Sequence, residues 1–222
     1  MAQLEGYARF ASMFGKILRG GQRMLSLVND LLDLSAIDAA TLAMTRRPED
    51  LRTLAQEVCD ELLPLAMAGE KKLEPSPSMP PLPVHADAGR LQQVLRNVLA
   101  NAIRFAPAGS VVLIDGTDLG NDGIELTVRD QGPGIPPDEL EEIFSPFVQS
   151  SRTRDGSGGS GLGLAICRRI MTAHGGTFRA ENAPGVGALL RVRLPSARHQ
   201  PHLTHPTSTP AVIAARDGIF NA

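Results

Sequence analysis

Two strand-like stretches, SVVLIDGTD (residues 110–118) and GIELTVRD (123–130), are separated only by the turn-rich LGND. Two more, GGTFRAE and VGALLRVRLP, follow the next helix. Strands arriving in this order do not alternate one for one with helices, which argues against a doubly wound parallel sheet. The order predicts an α+β sandwich, a mixed sheet with helices on one face. Helices are expected from about Glu49 to Met67, with Leu51, Leu54, Val58, Leu62 and Leu65 on one face, from Ala88 to Phe105, and from Gly161 to Ala173. Pro64 is expected to distort the last turn of the first of these. The proline-rich EKKLEPSPSMPPLPVHAD between the first two has room for two short strands.

Ahead of this unit, Tyr7, Phe10, Phe14, Ile17, Gly21, Met24, Val28 and Leu31 recur at alternating steps of three and four, ending in NDLLDLSAIDA. That is the period of a helical-bundle seam, and it predicts one helix over residues 3–40 that needs a partner helix to cover it. Gly20 and Gly21 weaken it by about 1 kcal/mol each.

Composition narrows the function. A net charge of −2 with no strongly basic segment argues against nucleic acid as the partner. No apolar run is long enough for a membrane span and no signal-peptide pattern opens the chain. Two cysteines without ligand-like spacing, Cys59 and Cys167, fit a reduced, cytoplasmic compartment. Residues 196–222 carry proline and histidine without periodicity and are expected to be a disordered tail.

Three stretches carry chemistry. Asn97, Asn101 and Arg104 fall four and three residues apart on one helix face, away from Leu91, Val94, Leu95, Val98 and Ala102. An amide oxygen is a hard, neutral ligand suited to Mg²⁺ that shares its shell with phosphates, and a guanidinium balances phosphate charge. In RDQGPGIP, Asp130 ends a strand and can accept from an exocyclic amine, while Gly132 and Gly134 let the backbone approach a flat ring. In GSGGSGLGLAICRRI, Gly159, Gly161 and Gly163 open a helix whose N-terminal amides suit phosphate. Each has a plainer reading, respectively a solvated polar face, an ordinary turn and a glycine cluster. Three in this order constrain more than any one.

The ordered stretches NVLANAIRFAP, DQGPGIP, IFSPF and GSGLGLAIC resemble the N, G1, F and G2 boxes of sensor histidine kinases, whose ATP-binding domain shares its fold with DNA gyrase and mismatch-repair ATPases. The match covers residues 3–195. It implies a partial dimerisation helix over 1–45 and an ATP-binding catalytic domain over 46–195. It also implies that Asn101 coordinates Mg²⁺ through ATP, that Asn97 supports it and that Arg104 faces the phosphates. Asp130 would take the adenine amine, with Gly132 and Gly134 shaping its pocket. Phe144 and Phe147 would pack the base of an ATP lid spanning about 148–160, Arg152 or Arg154 would reach the γ-phosphate, and Gly159, Gly161, Leu162 and Gly163 would form the phosphate side. Plain core packing explains the two phenylalanines equally well. Hydrolytic relatives place a glutamate where Asn97 stands, and an amide cannot act as a base, so the resemblance implies phosphoryl transfer rather than ATP hydrolysis.

The family's acceptor is a histidine in a stretch like H-E-L-R-T-P on the first helix of a dimerising hairpin, and no such stretch occurs here. The helix over 3–40 resembles the second helix of that hairpin. His85 and His174 read as structural or surface histidines, and His199, His202 and His205 as chance in the tail. The implied partners are therefore ATP, a histidine-bearing hairpin from upstream or from a partner kinase, a response regulator, and a weak homodimer through the seam. The chain reads either as part of a longer or interrupted kinase, or as a complete protein acting in trans or as a pseudokinase. The anti-sigma-factor serine kinases share the nucleotide fold, but the bundle-type leading helix disfavours them.

Overall fold

The computed structural model describes residues 44–153 and 160–197, together with scattered positions between 13 and 32. Those scattered positions are all helical, and the apolar side chains among them, including Phe14, Ile17, Met24 and Val28, stand exposed. Tyr7, Phe10 and the tail from 198 onward lie outside the described residues.

The main unit begins with strand β1 (Arg47–Asp50), followed by helix α1 (Leu51–Ala68), β2 (Lys72–Pro75), β3 (Pro83–Ala86) and α2 (Ala88–Phe105). Then come β4 (Val111–Asp118), β5 (Ile124–Arg129), α3 (Gly163–Ala173), β6 (Thr177–Asn182) and β7 (Ala188–Leu194). A five-stranded sheet runs β2-β4-β5-β7-β6, parallel between β2 and β4 and antiparallel elsewhere. β1 and β3 form a separate antiparallel pair. The expected mixed sheet is thus present.

Side chains alternate strictly along the inner strands. Gly116, Leu126, Val192 and Phe178 lie abreast in register, all buried. The period of two puts one face of the sheet in the core. α2 packs on β4 and β5, and α3 on β6 and β7, while α1 covers α2 and β2. Leu91, Leu95, Leu99, Ile166 and Ile170 are fully buried between these layers. α2 ends at Phe105 because Ala106, extended at φ −70° and ψ 143°, precedes Pro107.

Sequence and structure differ at several boundaries. Glu49 belongs to β1, not to the first turn of α1. The helix starts two residues later, at Leu51, because Asp50 caps it, its Oδ1 accepting from Arg52 N (3.0 Å) and from Leu82 N (2.8 Å). α1 nevertheless continues past Pro64 to Ala68. α3 starts at Gly163 rather than Gly161. Ser196, read as the first tail residue, is buried and bridges to Val84.

A buried histidine joins three segments. His174 ends α3, with Nδ1 2.8 Å from the Ile170 carbonyl oxygen, while its Nε2 accepts from Asp87 N at 3.1 Å. Asp87 caps α2 through Arg90 N (3.1 Å) and takes Thr45 N at 3.0 Å, and Arg46 Nη2 donates to the Ala173 carbonyl. Both ring contacts are satisfied only by the neutral Nδ1–H tautomer. Burial lowers the His174 pKa from its ordinary 6.5, helped by the Arg46 charge and opposed by the Ile170 bond and the Asp87 carboxylate. A histidine depressed on folding binds more protons when unfolded, so stability is full above the ordinary pKa and declines as pH falls below it. Thermal midpoints are therefore expected to fall between about pH 7.5 and pH 5.5, at a limit of about 1.4 kcal/mol per pH unit, and to fall less in His174→Gln. Equal slopes in the two proteins would refute the assignment.

Candidate functional site

A cavity of about 370 Å³ opens between α2, the end of β5 and the start of α3. Asn97, Asn101 and Arg104 all line it, because the four-and-three spacing turns them together while Leu91, Val94 and Val98 take the buried face. Asn97 Nδ2 donates weakly, at 3.4 Å, to the Gly163 carbonyl, and a Cβ at Gly163 would sit 3.6 Å from that carboxamide. The amide row thus faces the opening turn of α3, where backbone N–H groups have no intrahelical partner.

Asp130 forms the opposite end. It follows β5, is 8% exposed, and its Oδ1 accepts from Gly132 N (2.8 Å) and Ala188 N (3.0 Å). Its own N–H donates to the Ala188 carbonyl at 3.0 Å. Burial raises its pKa above the usual carboxylate value, against the lowering effect of the two backbone donors. Oδ2 has no hydrogen-bond partner among the described residues. A buried carboxylate with one oxygen satisfied and one open is an acceptor waiting for a donor.

The remaining expected residues divide. Gly134, Gly161 and Gly163 line the cavity with Asn97, Asn101, Arg104 and Asp130. Gly132 does not, but it serves Asp130 directly, and a Cβ there would lie 3.0 Å from the Phe105 carbonyl. Gly161, at φ +70°, would bring a Cβ within 2.7 Å of the Phe147 backbone. Leu162 is core. Phe144 is buried, edge-on to Phe178 at 5.2 Å and beneath the Arg168 guanidinium at 4.6 Å. Phe147 differs from expectation: it is 65% exposed and packs no core, its backbone held at φ +66° with N bonded to the Gly161 carbonyl. Arg152 does not itself line the cavity, but its Nη1 donates at 2.7 Å to the carbonyl of Pro133, which does. Arg154 and Gly159 lie outside the described residues.

The structure adds wall residues to which the sequence assigned no role, two of them, Ile135 and Ile143, inside the DQGPGIP and IFSPF motifs. Ile135, Ile143 and Leu190 supply apolar surface, and Ala188 supplies the N–H that holds Asp130. Leu190 and Ala188 read in the sequence only as residues of a strand. Among the described residues no helix is long and apolar enough to cross a membrane, and no cluster of three or more His, Cys, Asp or Glu could hold a metal ion. A cation in this cavity would meet neutral amides and whatever oxygens a ligand brings, an arrangement that fits Mg²⁺.

Residues 86–198 match the family described as histidine kinase-, DNA gyrase B- and HSP90-like ATPases. The chain belongs to that family. Within it, the chain carries the ATP-binding catalytic domain of sensor histidine kinases. It is 34% identical over 80% of its length to the adaptive-response sensory kinase SasA of Synechococcus sp. (strain JA-3-3Ab), of which it spans 47%. To the histidine protein kinase DivJ of Caulobacter vibrioides it is 34% identical over 85% of its length, covering 31% of that protein. The chain therefore spans less than half the length of these relatives. Among solved structures it is similar to full-length ShkA in complex with AMPPNP (33% identity, TM-score 0.71, 80% of this chain and 36% of that one). It is also similar to the mycobacterial sensor histidine kinase MprB (30% identity, TM-score 0.62, 67% of this chain and 97% of that one).

Proposed function

We propose that the cavity binds ATP with Mg²⁺, and that the γ-phosphoryl passes to a histidine on a helical hairpin rather than to any of this sequence's five histidines. The observation that carries this is buried Asp130, its Oδ1 held by two backbone N–H groups and its Oδ2 open, lining one apolar-walled cavity together with the amide row of α2. Adenine suits that end, since its exocyclic amine donates to Oδ2 while Ile135 and Leu190 take the ring. The triphosphate then extends toward Asn97, Asn101, Arg104 and the first turn of α3, and Asn101 shares the Mg²⁺ shell with phosphate oxygens and waters. Ser150, whose hydroxyl is buried without a partner among the described residues, borders the same cavity. Phosphoryl transfer asks mainly for positioning and charge neutralisation. These residues supply the charge neutralisation, and the acceptor hairpin completes the positioning. A response regulator would take the phosphoryl group next.

The test is calorimetry with Mg-AMPPNP, followed by incubation with labelled ATP. Asn101→Ala is expected to weaken Mg-AMPPNP binding about tenfold and to remove the advantage of Mg²⁺ over EDTA. Labelled ATP alone should leave the chain unlabelled, and an added hairpin bearing an H-E-L-R-T-P-like histidine should acquire acid-labile, base-stable phosphate. Label on this chain, or tight nucleotide binding with no transfer to any hairpin, would overturn the transfer reading.

A further inference from the structure

We infer that Asn182, the last residue of β6, is a positioning residue for the base-facing end of the cavity. The inference rests on the nucleotide reading above. The loop from Gln131 to Pro136 contributes Gly134 and Ile135 to the cavity wall yet forms no helix and no sheet ladder. An irregular loop of this kind must find partners for its main-chain groups outside secondary structure. Asn182 supplies two of them. Its Oδ1 accepts from Ile135 N at 2.8 Å and its Nδ2 donates to the Ile135 carbonyl at 2.7 Å. The carboxamide thereby makes the pair of bonds a neighbouring strand would make, and fixes Ile135 in both position and rotation.

Two further observations place this clamp at the ligand. Asn182 pairs in register with Ala188, the residue whose N–H holds Asp130 Oδ1, so the clamp and the carboxylate hang on one rung of the sheet. The same Oδ1 also lies over Gly134, where a Cβ would come within 2.7 Å of it. Gly134 therefore stays bare and close to the cavity because Asn182 is there. On the same flank Arg152 holds the Pro133 carbonyl, its Nη1 3.7 Å from where a Gly134 Cβ would lie. Neither Asn182 nor Arg152 lines the cavity, so each acts through the loop. Arg152 grips one carbonyl from an arginine stem, whereas Asn182 grips both polar atoms of one peptide residue from the end of a strand.

Asn182 itself is exposed, which limits the effect of removing it. Asn182→Ala is expected to weaken binding of Mg-ADP about fivefold to thirtyfold, the equivalent of one to two net hydrogen bonds. Amide hydrogen exchange at Ile135, measured without nucleotide, is expected to speed up about tenfold or more, with no change in the first turn of α3. Asn182→Asp keeps the acceptor for Ile135 N and loses the donor to its carbonyl, so it should bind with intermediate affinity. That variant carries the test if the alanine lowers the melting temperature by more than about 5 °C. Mg-ADP affinity within twofold of the unaltered chain in both variants would overturn the inference alone. Uniformly faster exchange throughout the domain, in place of a local change, would also overturn it by reducing Asn182 to a stability residue. Failure of the unaltered chain to bind Mg-ADP would overturn the nucleotide reading and this inference with it.

Discussion

Asp130→Asn is expected to reduce affinity for ADP or AMPPNP at least about 100-fold, because it turns a complementary contact into a clash of donors. The amide oxygen can replace Oδ1 and keep the bonds from Gly132 N and Ala188 N, both of which are buried and would be costly to abandon. That orientation forces the new NH₂ group into the place of Oδ2, where an exocyclic amine would meet it donor to donor. Flipping the amide relieves that clash only by pointing the NH₂ at two backbone N–H groups. Stability should move the other way. Burial raises the pKa of Asp130, so its ionised form is penalised on folding, and the contribution present at low pH is lost as pH rises through the folded pKa. A neutral isostere escapes that penalty at neutral pH, so the melting temperature should hold or rise. Calorimetry with a parallel thermal scan separates the two effects. Retained affinity would sink the assignment of Asp130 to the base, and lost affinity with a collapsed melting temperature would point to a structural role.

The parts of this molecule that were legible beforehand are those written in side-chain type and period. α2 shows an apolar face, a polar row and a proline after its end, and the structure reproduces its bounds from Ala88 to Phe105. β4 and β5 were legible through alternation and the turn between them. β1 was not, since Arg-Pro-Glu-Asp has no apolar alternation and exists as a strand only because β3 lies beside it. The same division runs through the site. Asp130 and the amide row announce themselves by chemistry, and they do converge on one cavity. Ala188 contributes a backbone N–H, which any residue type could supply, and only the sheet register reveals it. Arg152 shows the converse limit. A positive charge near a glycine-rich stretch reads as a phosphate ligand, and nothing in the sequence shows that its Nη1 also donates to the Pro133 carbonyl, a pairing set by tertiary geometry. Phe147 likewise carries an aromatic side chain in a motif position while its backbone, at φ +66°, turns it outward to solvent.

Gly187→Ala is expected to be the most destabilising single-methyl change near the site, at about 2–5 kcal/mol. Gly187 sits at φ +99°, where a side chain costs about 1–2 kcal/mol of backbone strain. Its added Cβ would also land on the Asp130 carbonyl oxygen and lie 3.0 Å from Gln131 Cα, an overpacking against main chain worth a further ~1–3 kcal/mol. Neither neighbour can rotate away. The Asp130 carbonyl belongs to the backbone that β7 holds through the Asp130–Ala188 pair, and Gly187 O itself accepts from Ala183 N at 2.9 Å to close the β6–β7 turn. Gly185, two residues earlier in the same turn, separates the two contributions. It shares the left-handed conformation, at φ +91°, but a Cβ there meets nothing within 4 Å. Gly185→Ala should therefore cost only the strain, about 1–2 kcal/mol, and leave nucleotide affinity unchanged. Urea unfolding of the two variants measures the difference directly. If they are equally destabilised, the close approach of the turn to Asp130 is not what fixes the carboxylate. If Gly187→Ala alone loses both stability and Mg-ADP binding, the turn is holding Asp130 in place from behind, and the base end of the cavity depends on a glycine that never touches the ligand.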